Sequence, residues 1–137
     1  MCFRRLALAT AIAASVTACG GVVDPSKNQT QEFSGTVPVG AAGPSHDFRV
    51  SKNGEYTATI TGLTPNSVVF IGVLVGQPTS AGCTNTGQFG TGANQFSQLN
   101  RPALNGFINK GDYCLQLFDP GNLLPTTASY TVTVSHP

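Results

Sequence analysis

Ser45, His46 and Asp47 are the three residue types of a nucleophilic hydrolase triad, standing side by side in the chain. In a triad the base takes the proton of the hydroxyl nucleophile, and the carboxylate orients the base. Neighbours on an extended segment point to opposite faces, so these three do not converge and are read as the approach to a strand. The other carboxylates, Asp24, Glu32, Glu55, Asp112 and Asp119, are scattered, with no Asp-x-Asp pair. Asp119-Pro120-Gly121-Asn122 offers a carboxylate and carbonyls to a hard cation, but reads more simply as a turn: Pro presets one dihedral and Gly permits the unusual one. Gly87-Gln88-Phe89-Gly90-Thr91-Gly92 is glycine-rich, without the strand, helix and lysine of a phosphate cradle. Neither His46 nor His136 stands at zinc-ligand spacing from a cysteine pair. The expectation is no catalytic set, no cofactor and no metal, and so no enzyme.

Cysteine chemistry is more informative. Arg4 and Arg5 precede an apolar run, Leu6–Val16, which closes on Val16-Thr17-Ala18-Cys19. As a helix, Leu6–Ala18 would reach only about 20 Å at about 1.5 Å per residue. A bilayer core of about 30 Å needs roughly 20 residues, so the segment reads as a secretory signal. The four residues ending at Cys19 resemble the lipobox of bacterial lipoproteins. That resemblance implies cleavage after residue 18 and acylation of Cys19, with two or three chains. One chain binds a membrane marginally and two anchor stably, at about 0.8 kcal/mol per buried methylene. Gly20 is not the Asp that resembles an inner-membrane retention signal, so the outer membrane is favoured in a host that has one. Residues 19–31, rich in Gly, Pro, Ser, Asn and Gln, read as a flexible tether, and Asn28-Gln29-Thr30 as part of its composition rather than a glycosylation site.

Processing would remove Cys2 and acylate Cys19, leaving Cys83 and Cys114. An even pair in an exported domain reads as a disulfide. Loss of Arg4 and Arg5 leaves five Lys/Arg against six Asp/Glu, without a run of either sign. Without a basic stripe there is no footprint for nucleic acid. Charged residues are only 9% of the chain, so the surface is built from Thr, Ser, Asn, Gln and Gly.

Residues 32–137 are expected to form one domain. No stretch sustains helical spacing, whereas period-two segments bounded by Gly, Pro and Asn recur. Strands are expected at Phe33–Val37, Asp47–Ser51, Tyr56–Thr61, Leu104–Ile108, Asp112–Phe118 and Ser129–Ser135. Val68–Val75, almost wholly apolar, is expected as a central strand covered on both faces. Asn53-Gly54 predicts one hairpin and Asn109-Lys110-Gly111 a second. The expected fold is all-β, an antiparallel sandwich or jelly-roll-like arrangement of seven to eight strands. The expected core is Phe33, Phe48, Val50, Tyr56, Ile60, Val69, Ile71, Val73, Phe107, Tyr113, Leu115, Leu117, Tyr130, Val132 and Val134.

The order Phe33-Ser34-Gly35-Thr36-Val37, His46-Asp47-Phe48-Arg49-Val50, Gly54 to Gly62, Gly111-Asp112-Tyr113-Cys114-Leu115 and Tyr130 to Val134 resembles the bacterial pre-peptidase C-terminal domain. That family is a β-sandwich appended to secreted hydrolases. The resemblance implies a sandwich from Glu32 to Pro137. Members often carry acidic residues beside the central strand that can hold calcium; Val68–Val75 has none.

Gln77–Arg101 is expected as a long polar loop pinned by Cys83, the alternative being an edge strand at Gln95–Leu99 within a decorated crossover. Two aromatics, Phe89 and Phe96, and the amides of Asn94 and Gln95 are its candidate ligand contacts. The function expected is a lipid-anchored extracytoplasmic interaction or structural module contacting another envelope protein. The alternative is a carbohydrate- or cell-wall-binding module that uses this loop.

Overall fold

A chain in which apolar and polar side chains alternate buries one face of its strands, as Gly54–Thr64 and Ala128–His136 here do most clearly. The computed structural model describes residues 24–137. Its strands are β1 (Gln29–Val37), β2 (Ala42–Val50), β3 (Gly54–Thr64), β4 (Ile71–Thr79), β5 (Gly82–Thr84), β6 (Gly92–Ser97), β7 (Pro102–Ile108), β8 (Gly111–Phe118) and β9 (Ala128–His136). Among the described residues a 3-10 turn, Pro25–Lys27, precedes them, capped where Asp24 accepts from the Ser26 N–H at 3.0 Å. β1 starts at Gln29, so residues 29–31 belong to the sheet and not to a tether.

Two antiparallel sheets face each other. One has the order β1-β9-β3-β7, the other β2-β8-β4-β5, with β6 also paired to β4. This is the expected all-β sandwich. β4 is its central strand: Ile71, Val73 and Val75 are fully buried, and β8, β5 and β6 all pair with it.

Both expected hairpins are corrected. β2 pairs with β8, and β3 pairs with β7 and β9, so the Asn53-Gly54 connection crosses from one sheet to the other. β7 and β8 likewise lie in different sheets, so Asn109-Lys110 is a second crossing. The signal for a tight turn is local, whereas pairing is decided by which strand buries the matching face. The two crossings meet where the Asn53 Oδ1 accepts from the Lys110 N–H at 2.7 Å. The tight hairpin that does form joins β4 to β5, with Thr79 opposite Gly82.

The core lies between the sheets and holds Phe48, Val50, Tyr56, Ile60, Ile71, Val73, Tyr113, Leu115, Leu117, Tyr130, Val132 and Val134 as expected, with Phe33 half-buried against it. Two expected core residues are exposed instead, Val69 at 56% and Phe107 at 47%. Val69 precedes the start of β4 at Ile71, so sheet alternation does not reach it. In β7 the partners of inward Tyr56 and Ala58 are Gly106 and Leu104, which turns Phe107 outward beside Glu55.

Candidate functional site

The segment expected as a long loop is largely regular. β4 extends to Thr79, β5 follows the hairpin, and β6 occupies Gly92–Ser97, overlapping the edge strand considered at Gln95–Leu99. Cys83 on β5 and Cys114 on β8 are joined as a disulfide with Cα atoms 5.6 Å apart. Both strands flank β4, so the bridge ties the segment to the sandwich.

The four candidate contact residues do not form one surface. Phe89 lies before the start of β6 and Phe96 near its end, where Ser97 opposes Ile71 and Gly92 opposes Val75. From Gly92 to Phe96 the strand covers about 13 Å at about 3.3 Å per residue. Asn94, between them, is committed to the fold: its Nδ2 donates to the Ala103 carbonyl at 2.9 Å and its Oδ1 accepts from the Phe96 N–H at 2.9 Å. Gln95 is exposed.

At the Phe96 end, its ring meets Phe70 edge to face at 5.9 Å. Both rings are substantially exposed, as are Val69 and Leu99 nearby in sequence. Phe70 was missed because it sits in the apolar run read as a doubly covered strand.

At the Phe89 end, Gly87, Gln88, Phe89, Gly90, Thr91 and Asn109 line an open groove of about 470 Å³. The Phe89 ring is 74% exposed, while its backbone is held from below: the Tyr113 hydroxyl donates to the Phe89 carbonyl at 3.4 Å. Burial pushes the Tyr113 hydroxyl up, with a backbone hydrogen bond from Asn109 opposing it, so it remains a donor at neutral pH. Gly90, at φ 91°, presses on Ile108, and any side chain there would collide with it. Gln88 and Asn109 were not singled out from the sequence, Asn109 having been read only as a turn residue.

The residues with hydrolytic types are apart in role. Ser45 and Asp47 are exposed. His46 is half-buried, stacks on Phe33 with centroids 5.1 Å apart, and shares a 2.8 Å hydrogen bond between its Nε2 and the Tyr130 hydroxyl. Asp119 is a turn organiser: its carboxylate accepts from the Gly40, Leu123 and Leu124 N–H groups at 2.7, 2.7 and 3.1 Å. His136 is fully buried against Phe48, its Nδ1 3.2 Å from the Pro137 carbonyl. Among the described residues no group of three or more His, Cys, Asp or Glu comes together as a metal site would need. Cys19 and the leader lie outside the described residues. Among known proteins, no family model and no curated protein matches the chain.

Proposed function

We propose that the chain is an interaction or structural module of the bacterial cell envelope: a β-sandwich without catalytic activity, held at a membrane by lipid on Cys19. The observation that carries this reading is the exposed apolar group around the Phe70–Phe96 pair, whose rings meet edge to face at 5.9 Å. Val69, Phe70, Phe96 and Leu99 are between 40% and 58% exposed, and the core between the sheets is formed without them. Clustered exposed apolar groups are the mark of a contact surface. A second support is the Cys83–Cys114 bridge, since disulfides persist in oxidising compartments outside the cytoplasm. Lipid on Cys19 would raise the effective concentration of that surface near envelope partners. The partner class is another envelope protein, and the outer membrane is the favoured location where the host has one.

Cell fractionation of Cys19→Ala tests the anchor. The variant is expected in the soluble fraction, and retention in the membrane overturns the lipid reading. A photo-crosslinker at Phe96 in the anchored protein should capture a discrete envelope protein; capture at Phe96 no greater than at the exposed Glu55 would remove the case for this surface.

A further inference from the structure

We infer that the groove between the Gly87–Thr91 loop and Asn109 binds a neutral sugar unit of a glycan, with the Phe89 ring as its stacking platform. This goes beyond the module reading and takes from it only the source of the glycan, the cell envelope.

The first reason is that Phe89 is exposed yet held in place. Four contacts fix the loop beneath it. Tyr113 donates to its carbonyl at 3.4 Å. The Thr91 N–H and hydroxyl donate to the Gln88 carbonyl at 3.0 and 2.8 Å. Gly90 lies against Ile108 in a conformation that only glycine adopts readily. Gln77 Nε2 donates to Gln88 Oε1 at 3.0 Å, which orients that amide as well. A loop ordered before binding avoids the entropy of ordering it during binding. Phe89 is not part of the core cluster, so at 74% exposure it adds little to the packing between the sheets.

The second reason is the chemistry of the lining. A pyranose ring presents an apolar C–H face and a rim of hydroxyls that both donate and accept. The Phe89 ring matches the first. The amides of Gln88 and Asn109, each with an NH2 donor and a carbonyl acceptor, match the second. Gln88 keeps its NH2 group available because Gln77 engages only its carbonyl oxygen.

The third reason is charge and size. None of the six lining residues is ionised, so a charged polysaccharide, nucleotide or acidic peptide would lose hydration without a counter-charge to replace it. The groove volume of about 470 Å³ falls in the range of about 300–1,000 Å³ usual for small-ligand sites. Phe96, by contrast, is already engaged with Phe70.

The test is calorimetric titration of the full-length protein, in micelles of a detergent without a sugar headgroup, with two neutral tetrasaccharides. These are a β-1,4-linked N-acetylglucosamine tetramer and a β-1,4-linked glucose tetramer, with an anionic oligogalacturonate as control. Saturable binding of at least one neutral sugar is expected. Phe89→Ala should weaken it about tenfold or more, Asn109→Ala several-fold, and Phe96→Ala not at all. Phe89→Trp should keep it, which separates a lost platform from a lost fold. No binding at millimolar sugar, preference for the oligogalacturonate, or equal loss in Phe96→Ala would overturn the assignment. Binding in micelles does not depend on the acyl chains, so failure of the anchor in the Cys19→Ala fractionation leaves this titration standing, and the reverse.

Discussion

Residues 119–124 and 87–91 are two polar, glycine-containing loops, and the fold treats their side chains in opposite ways. In the first, the chain's own backbone consumes the functional group. The Asp119 carboxylate turns inward and satisfies three N–H groups, two of its own loop and one of Gly40 from the neighbouring connection. In the second, the Phe89 and Gln88 carbonyls and the close approach of Gly90 to Ile108 do most of the holding; the Thr91 hydroxyl is spent on the Gln88 carbonyl, while the Phe89 residue is left exposed. A carboxylate that accepts three backbone hydrogen bonds organises structure. An aromatic ring and amides on a held backbone are open to a ligand. The difference separates a turn from a candidate site better than composition does, since both loops read as turn-like in sequence.

The largest expected effect comes from the covalent tie of the second region. Replacing Cys83 and Cys114 together by Ser reopens a loop with a sequence separation of 31 residues. On the chain-entropy estimate this lowers unfolding free energy by about 3.5–4 kcal/mol. Urea denaturation checks it, and an unchanged midpoint would show that the segment 77–101 is not held by the bridge. Next comes Asp119→Ala, which removes the shared acceptor of three N–H groups, one of these bonds buried and two partly buried. Hydrogen bonds to a charged acceptor are worth about 1.5–3 kcal/mol each when removed singly, and sharing one acceptor makes them less than additive, so a loss of about 3 kcal/mol is expected. The contrast sharpens if Asp119→Ala lowers stability without altering sugar binding while Phe89→Ala does the opposite. A loss below about 1 kcal/mol for Asp119→Ala would place that loop with the surface class instead.

The strands were readable wherever alternation was clean. Tyr56, Ala58 and Ile60, and Tyr130, Val132 and Val134, each declare one buried face, and each is buried. Parity failed in β7 because the inward position between Leu104 and Ile108 is Gly106, which has no side chain to announce it, and so Phe107 was assigned inward. Pairing was less readable than the strands. The chain passes from sheet to sheet at nearly every connection, so a turn signal such as Asn53-Gly54 marks a reversal without marking a partner. The disulfide followed from cysteine arithmetic. The groove did not, because Asn109 and Phe89 are 20 positions apart and meet only through Tyr113 and Ile108, which are core residues of β8 and β7. Nor could the sequence tell that Asn94, an amide in the same segment as Phe89, is already satisfied by Ala103 and Phe96.

His46 is an intermediate case between the two loops, and it gives the smallest expected effect. Its Nε2 is paired once, with the Tyr130 hydroxyl at 2.8 Å across the two sheets, and its ring is half-buried on Phe33. Burial pushes the Tyr130 hydroxyl up to about 12, so it keeps its proton and donates to an unprotonated Nε2. Burial also holds His46 below the usual histidine value of 6.5, with the Asp47 carboxylate pulling weakly the other way. The folded chain therefore binds fewer protons than the unfolded one in the window just below 6.5. Stability from this pair is fully present above that value and is lost as pH falls through the lower, folded-state value. Being partly exposed, the pair should move the urea midpoint only slightly between about pH 7.5 and about pH 5. His46→Phe, which keeps the stack on Phe33 but cannot take a proton, should flatten that part of the slope. An identical slope in wild type and His46→Phe would assign the pH dependence elsewhere. It would then follow that the Tyr130 contact tolerates the imidazolium, with the hydroxyl turning to accept, and that His46 belongs with the open side chains of residues 87–91 rather than with Asp119.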